Sequence, residues 1–92
     1  MRVDKFLKLS RLVKRRTAAQ EMILVGAVRL NGRTIKPSAA VRIGDKIEVA
    51  YPRRVLSVEV LTTDEREIKR GVPCASAVLE RRLPPDEDRD VS

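Results

Sequence analysis

Seven of the first sixteen residues are basic: Arg2, Lys5, Lys8, Arg11, Lys14, Arg15 and Arg16. Asp4 is the one acidic residue among them. Side chains of these types bind anions. Arginine offers a planar fork of N–H groups that fits two phosphate oxygens, and lysine adds a mobile point charge. The cluster spans the start of a second predicted helix, whose unpaired backbone amides favour a phosphate at the same place. The expected chemistry is recognition of a polyanion, with a solvated helix face as the competing reading.

The charge distribution supports a concentrated face. Residues 1–61 carry 14 Lys and Arg against 5 acidic residues, whereas residues 62–92 carry 6 against 8. The net charge of +7 therefore belongs to the first two thirds of the chain. One-sided basic charge points to nucleic acid, whereas a merely solubilising surface would mix both signs. The chain has one Phe, one Tyr and no Trp. That is too few rings to stack single-stranded bases, and many Arg with few rings suits the backbone and shape of folded RNA.

Several chemistries are excluded. There is no His, so no nucleophile–His pair exists, and Cys74 is alone, so no internal disulfide or Cys-rich metal site can form. No Gly-rich phosphate loop is present. These features predict a protein that is not an enzyme and has no cofactor or metal. No apolar run reaches the length of a membrane span, and the N-terminus lacks a signal-peptide core. A cytoplasmic monomer is expected.

A chain of 92 residues suits one domain. Val3, Phe6 and Leu7 recur at helical spacing, which predicts a first helix over 2–9. Ala19, Met22 and Ile23 predict a second, from Arg16 or Thr17 to Val25, ended by Gly26; Thr17 or the Arg before it would cap it. After Gly26 the pattern changes to period two. Val28 and Leu30, then Ile35, flank Asn31-Gly32, the strongest short hairpin signal. Ile47, Val49 and Tyr51 predict a third strand, and Val55 to Leu61 a fourth, joined by the basic connection Pro52-Arg53-Arg54. Residues 62–72 are polar and read as loop. A short helix from Pro73 to about Arg81 competes with a last strand through Ala77, Val78 and Leu79. Residues 84–92 read as a disordered acidic tail. The expected fold class is α+β, two N-terminal helices packed on a small antiparallel sheet. Residues 1–61 would form the domain, 62–83 an extension with a short helix or strand, and 84–92 the tail.

Four blocks in order carry a resemblance. They are Arg2-Val3-Asp4-Lys5-Phe6-Leu7, Arg16-Thr17-Ala18-Ala19-Gln20, Gly26-Ala27-Val28-Arg29-Leu30-Asn31-Gly32 and Val41-Arg42-Ile43-Gly44-Asp45. Together they resemble the RNA-binding domain of the ribosomal-protein-S-four type over about residues 2–51. Residues 1–17 are more narrowly similar to the stand-alone members of the heat-shock protein fifteen family, which have no attached catalytic domain. Arg15 departs from the Ser usual at that place in the broader domain, although the narrower group has a basic residue there.

The resemblance implies a role in bacterial ribosome-associated quality control. The partners would be the large ribosomal subunit, its rRNA and a peptidyl-tRNA held in the P site while RqcH adds alanine tails. It places Arg2 and Arg16 as paired RNA contacts, with Lys5, Lys8, Arg11, Lys14, Arg15 and Thr17 as secondary contacts. The Arg2 and Arg16 side chains are expected to face solvent. Asn31 and Gly32 match the hairpin turn and are read as structural. Recycling of stalled large subunits in the manner of heat-shock protein fifteen is the alternative, although that group usually carries a longer basic C-terminal extension. A nonspecific nucleic-acid-binding protein is the other.

Overall fold

The computed structural model describes residues 1–83. Helix α1 spans Val3–Leu9 and α2 spans Arg16–Leu24. Strands β1 (Val28–Leu30), β2 (Arg33–Thr34), β3 (Lys46–Tyr51) and β4 (Arg54–Val60) follow, then helix α3 (Glu65–Lys69) and strand β5 (Ala75–Arg82). The strands make one antiparallel sheet in the order β2-β1-β3-β4-β5. The fold is therefore the expected α+β arrangement.

The apolar stripes explain how the layers meet. Val3, Phe6 and Leu7 of α1 and Ala19 and Ile23 of α2 are buried in one core with Val28, Ile47, Val49, Val58 and Val60 of the sheet. Alternate residues on β3, Lys46 and Ala50, stay exposed, the period-two pattern of a strand with one covered face. Among the described residues no helix is long and apolar enough to cross a membrane. Cys74 is a free thiol buried at the edge of the core.

Local chemistry sets the turns. Asn31 and Gly32 both have positive φ, 52° and 79°, as a two-residue hairpin turn of this hand requires. The turn is also tied to the distant Gly44-Asp45 block. Asn31 Nδ2 donates to Asp45 Oδ1 at 3.1 Å, and the Lys46 amide donates to Asn31 Oδ1 at 2.9 Å. Asp45 Oδ2 accepts from the Arg42 amide at 2.8 Å. Two of the four blocks read from the sequence are thus parts of one bonded structure. Arg11 also has positive φ, 65°, where the chain leaves α1.

The N-terminus is held by the long connection between β2 and β3. The Val3 amide donates to Ala39 O, the Asp4 amide to Pro37 O, and the Val41 amide to Met1 O. Arg2 and Ala40 form an isolated antiparallel bridge.

Three expectations need correction, and one open alternative is decided. The first strand of the hairpin pairs as expected, but β2 ends at Thr34, and Ile35 lies outside it, partly buried against the core. Arg54 opens β4 instead of closing the connection before it. The polar stretch 62–72 contains a helix, α3, capped by Asp64, whose carboxylate accepts from the Arg66 and Glu67 amides. The segment after Pro73 is a strand. Its Ala, Leu, Glu and Arg residues favour a helix when isolated, but the open edge of β4 supplies backbone partners all along Ala75–Arg82, and that pairing overrides propensity. The acidic segment 84–92 lies outside the described residues.

Candidate nucleic-acid interface

The basic residues are organised around one carboxylate. Asp4 sits in the first turn of α1 with its side chain 0% exposed. Arg2, the residue before the helix, donates from Nε to Asp4 Oδ1 at 3.2 Å and from Nη2 to Oδ2 at 3.1 Å. This is the two-pronged pairing that fixes a guanidinium plane. From α2, Gln20 Nε2 donates to Asp4 Oδ2 at 2.9 Å. The Lys5 amide donates to Asp4 Oδ1 at 2.7 Å. Arg16 Nε lies 3.3 Å from the same Oδ2, but its N–H is not aimed along that line. The atom is buried and has no hydrogen-bond partner among the described residues. Arg16 and Gln20 are four apart, so both face α1 from one side of α2.

This arrangement decides the ionisation of Asp4. Burial pushes its carboxyl up, yet the Gln20 hydrogen bond, the neighbouring Arg16 charge and the hydrogen bonds from the Arg2 guanidinium and the Lys5 amide outweigh burial and hold its pKa below the ordinary 3.8. The carboxylate is charged at neutral pH and holds two arginines beside each other. Their side chains remain 49% and 41% exposed. The expectation that both face solvent is therefore only half met. Each has one part bound to Asp4 and another part free for an anion.

The other predicted contacts divide into three groups. Lys5 is half-buried and paired with Glu65 of α3 at 2.5 Å. Lys8, Arg11, Lys14, Arg15 and Thr17 are exposed and make no side-chain ion pair or hydrogen bond among the described residues. Lys8 joins Lys5 and Arg16 along one cleft, whereas Arg11 lines a different one with Lys69 and Cys74. Lys14, Arg15 and Thr17 surround the start of α2. Arg15 occupies its cap position in an extended conformation with no side-chain cap bond, so Thr17 is not the cap. The first amides of α2 thus lack a competing side chain there.

Residue types alone show Asp4 only as the one acidic residue in a basic cluster and give Gln20 no role beyond its block. The Arg16–Gln20 spacing of one helical turn was the available signal. Glu65 and Lys69 were missed because the stretch that holds them reads as loop. There the Asp64-x-x-Glu67 pattern, a variant of the capping box, was the overlooked helix-start signal. Thr62 completes it by donating to Glu67 Oε1 at 2.7 Å.

A helix pair on an antiparallel sheet, with arginines anchored at one corner, defines a class of RNA-binding domain. Residues 1–47 match the S4 domain. The chain is 48% identical over 61 residues to the RQC P-site tRNA stabilizing factor of Helicobacter pylori, covering 66% of this chain and 73% of the relative. It is 40% identical over 65 residues to the RQC P-site tRNA stabilizing factor of Halalkalibacterium halodurans, covering 71% and 74%. Among solved structures it is similar to the trimeric structure of Vibrio cholerae heat shock protein 15. The TM-score is 0.75 at 25% identity, over 85% of this chain and 81% of that one. The chain therefore belongs to the S4-domain family, in the branch of the RQC P-site tRNA stabilizing factors.

Proposed function

We propose that this chain is a non-catalytic, cytoplasmic RNA-binding factor of ribosome-associated quality control. It acts as a monomer on obstructed large ribosomal subunits, contacts large-subunit rRNA and peptidyl-tRNA, and supports alanine tailing of the nascent chain beside RqcH. The observation that carries the RNA-binding part is the pair Arg2 and Arg16, held by the buried Asp4 while part of each side chain stays exposed. Fixing the forks before binding reduces the ordering cost of gripping a phosphate. The names of the relatives, RQC P-site tRNA stabilizing factors, support a tRNA-related role in ribosome-associated quality control.

Cosedimentation with purified large subunits, with and without peptidyl-tRNA, tests the reading. Binding is expected to be stronger with peptidyl-tRNA. Arg16→Ala is expected to weaken it by about 1.5–3 kcal/mol, the range for hydrogen bonds to charged groups. Arg16→Lys should recover part, because the charge returns without the fork. Wild-type binding by Arg16→Ala, in a protein that melts normally, would overturn the site. A tailing assay with RqcH separates this function from simple recycling of stalled subunits, which needs no tail synthesis.

A further inference from the structure

Helix α3 lies beyond the residues that match the S4 domain, yet it closes onto the basic face. Glu65 Oε1 lies 2.5 Å from Lys5 Nζ of α1, and Glu65 Oε2 lies 2.8 Å from Lys69 Nζ. The Glu65–Lys69 contact alone would be an ordinary pair one helical turn apart. The link to Lys5 is different, because it joins two helices distant in sequence and brings Lys69 beside the N-terminal cluster. Lys5, Lys8, Arg16, Glu65 and Lys69 line one open cleft of about 310 Å³. Four cations face one carboxylate there.

We infer that this cleft is a second phosphate site of the RNA interface, and that Lys69 of α3 is one of its contacts. The inference rests on the RNA-binding reading above. Glu65 shows the shape of anion the cleft takes. Its two oxygens each engage one ammonium group, as the two non-bridging oxygens of a phosphodiester would. Each ammonium has three N–H groups, so both lysines keep donors for a backbone phosphate while Glu65 holds them in place. Lys69 remains 63% exposed and within reach of such a ligand. The cleft is continuous with Arg16, so consecutive phosphates of one strand could engage the Asp4 corner and then the α3 cleft.

The test uses the full chain and large ribosomal subunits carrying a P-site peptidyl-tRNA, titrated between about 50 and 200 mM salt. Each lost phosphate contact lowers the salt slope by about 0.7–0.9. Lys69→Ala is expected to bind roughly three- to tenfold more weakly across sequences and to lose one such increment. Lys69→Glu should bind more weakly still, and Glu65→Gln at least as tightly as wild type. Arg82→Ala, on the far end of β5, serves as the charge-loss control. Melting of Lys69→Ala should match wild type, since its side chain is mostly in solvent. If Arg16→Ala weakens binding but both Lys69 variants bind as wild type with an unchanged slope, the α3 site is overturned and the wider reading stands. If Arg16→Ala also binds normally, both are overturned.

Discussion

Beside the hairpin, Asp45 accepts from the Arg42 amide and the Asn31 side chain, and through Asn31 it reaches the Lys46 amide. Beside the helices, Asp4 accepts from Arg2, Gln20 and the Lys5 amide and pairs with Arg16. Both are aspartates from recognisable sequence blocks, and both gather several donors. What they gather differs. Asp45 organises backbone and a turn, with no arginine side chain among its partners in the described residues. Asp4 organises the side chains proposed to touch RNA. A shared pattern of residues can therefore hold a fold in one place and a binding surface in another, and the distinction is visible only from the donors.

The largest expected effect is at Asp4. Asp4→Ala leaves buried donors of Gln20 and Arg16 facing a void, so it should cost about 2–4 kcal/mol of folding stability. RNA binding by the remaining folded protein should also fall at least tenfold, because both forks lose their anchor. Urea unfolding and subunit cosedimentation measure the two separately. Preserved binding in folded Asp4→Ala would mean that the arginines need no holder.

Acid sharpens the same point. The folded-state pKa of Asp4 lies below its ordinary 3.8, so the unfolded chain takes up this proton first. The stability from Asp4 is fully present above about pH 4 and is lost as pH falls through the lowered folded value. In Asp4→Asn this component is missing. The stability gap between wild type and Asp4→Asn should therefore narrow progressively below about pH 4.

Asp45→Ala should cost less, about 1–2 kcal/mol for two exposed hydrogen bonds. Its RNA affinity per folded molecule should stay at the wild-type level. Weakened binding at both positions would erase the contrast between the two aspartates. Tyr51→Phe gives the smallest effect and a neutral reference. The Tyr51 hydroxyl donates to Leu12 O at 2.6 Å, tying the segment after α1 to β3. Its loss should cost about 1 kcal/mol with no change in binding, as thermal melting and cosedimentation would show.

The elements with strong periodicity were legible in the sequence. The stripe of Val3, Phe6 and Leu7, the Asn31-Gly32 turn and the alternation of Ile47, Val49 and Tyr51 each have a local cause, and each took its expected form. Helix α3 was not legible from periodicity because its five residues carry one apolar position, Ile68, so its evidence lay in capping alone. Strand β5 was ambiguous because its partner, not its own composition, decides its form. At the site, the sequence displays which residues are basic. It does not display that Asp4 is buried among them, because a carboxylate in a first helical turn is equally at home in solvent.

The clamp on the N-terminus bears on the order of folding. Arg2, Val3 and Asp4 reach Arg16 and Gln20 nearby in sequence, but their own backbone is bonded to Pro37, Ala39 and Ala40. The binding corner is thus closed by residues that leave the ribosome much later than the arginines themselves. Contacts of long sequence separation are costly to form early, so this closure belongs late on the folding path. Substitutions in the Arg2–Asp4 corner should mainly speed unfolding and leave the folding rate nearly unchanged. The surface would then be the first part of the domain to loosen, and its lifetime would limit how long one molecule keeps its grip.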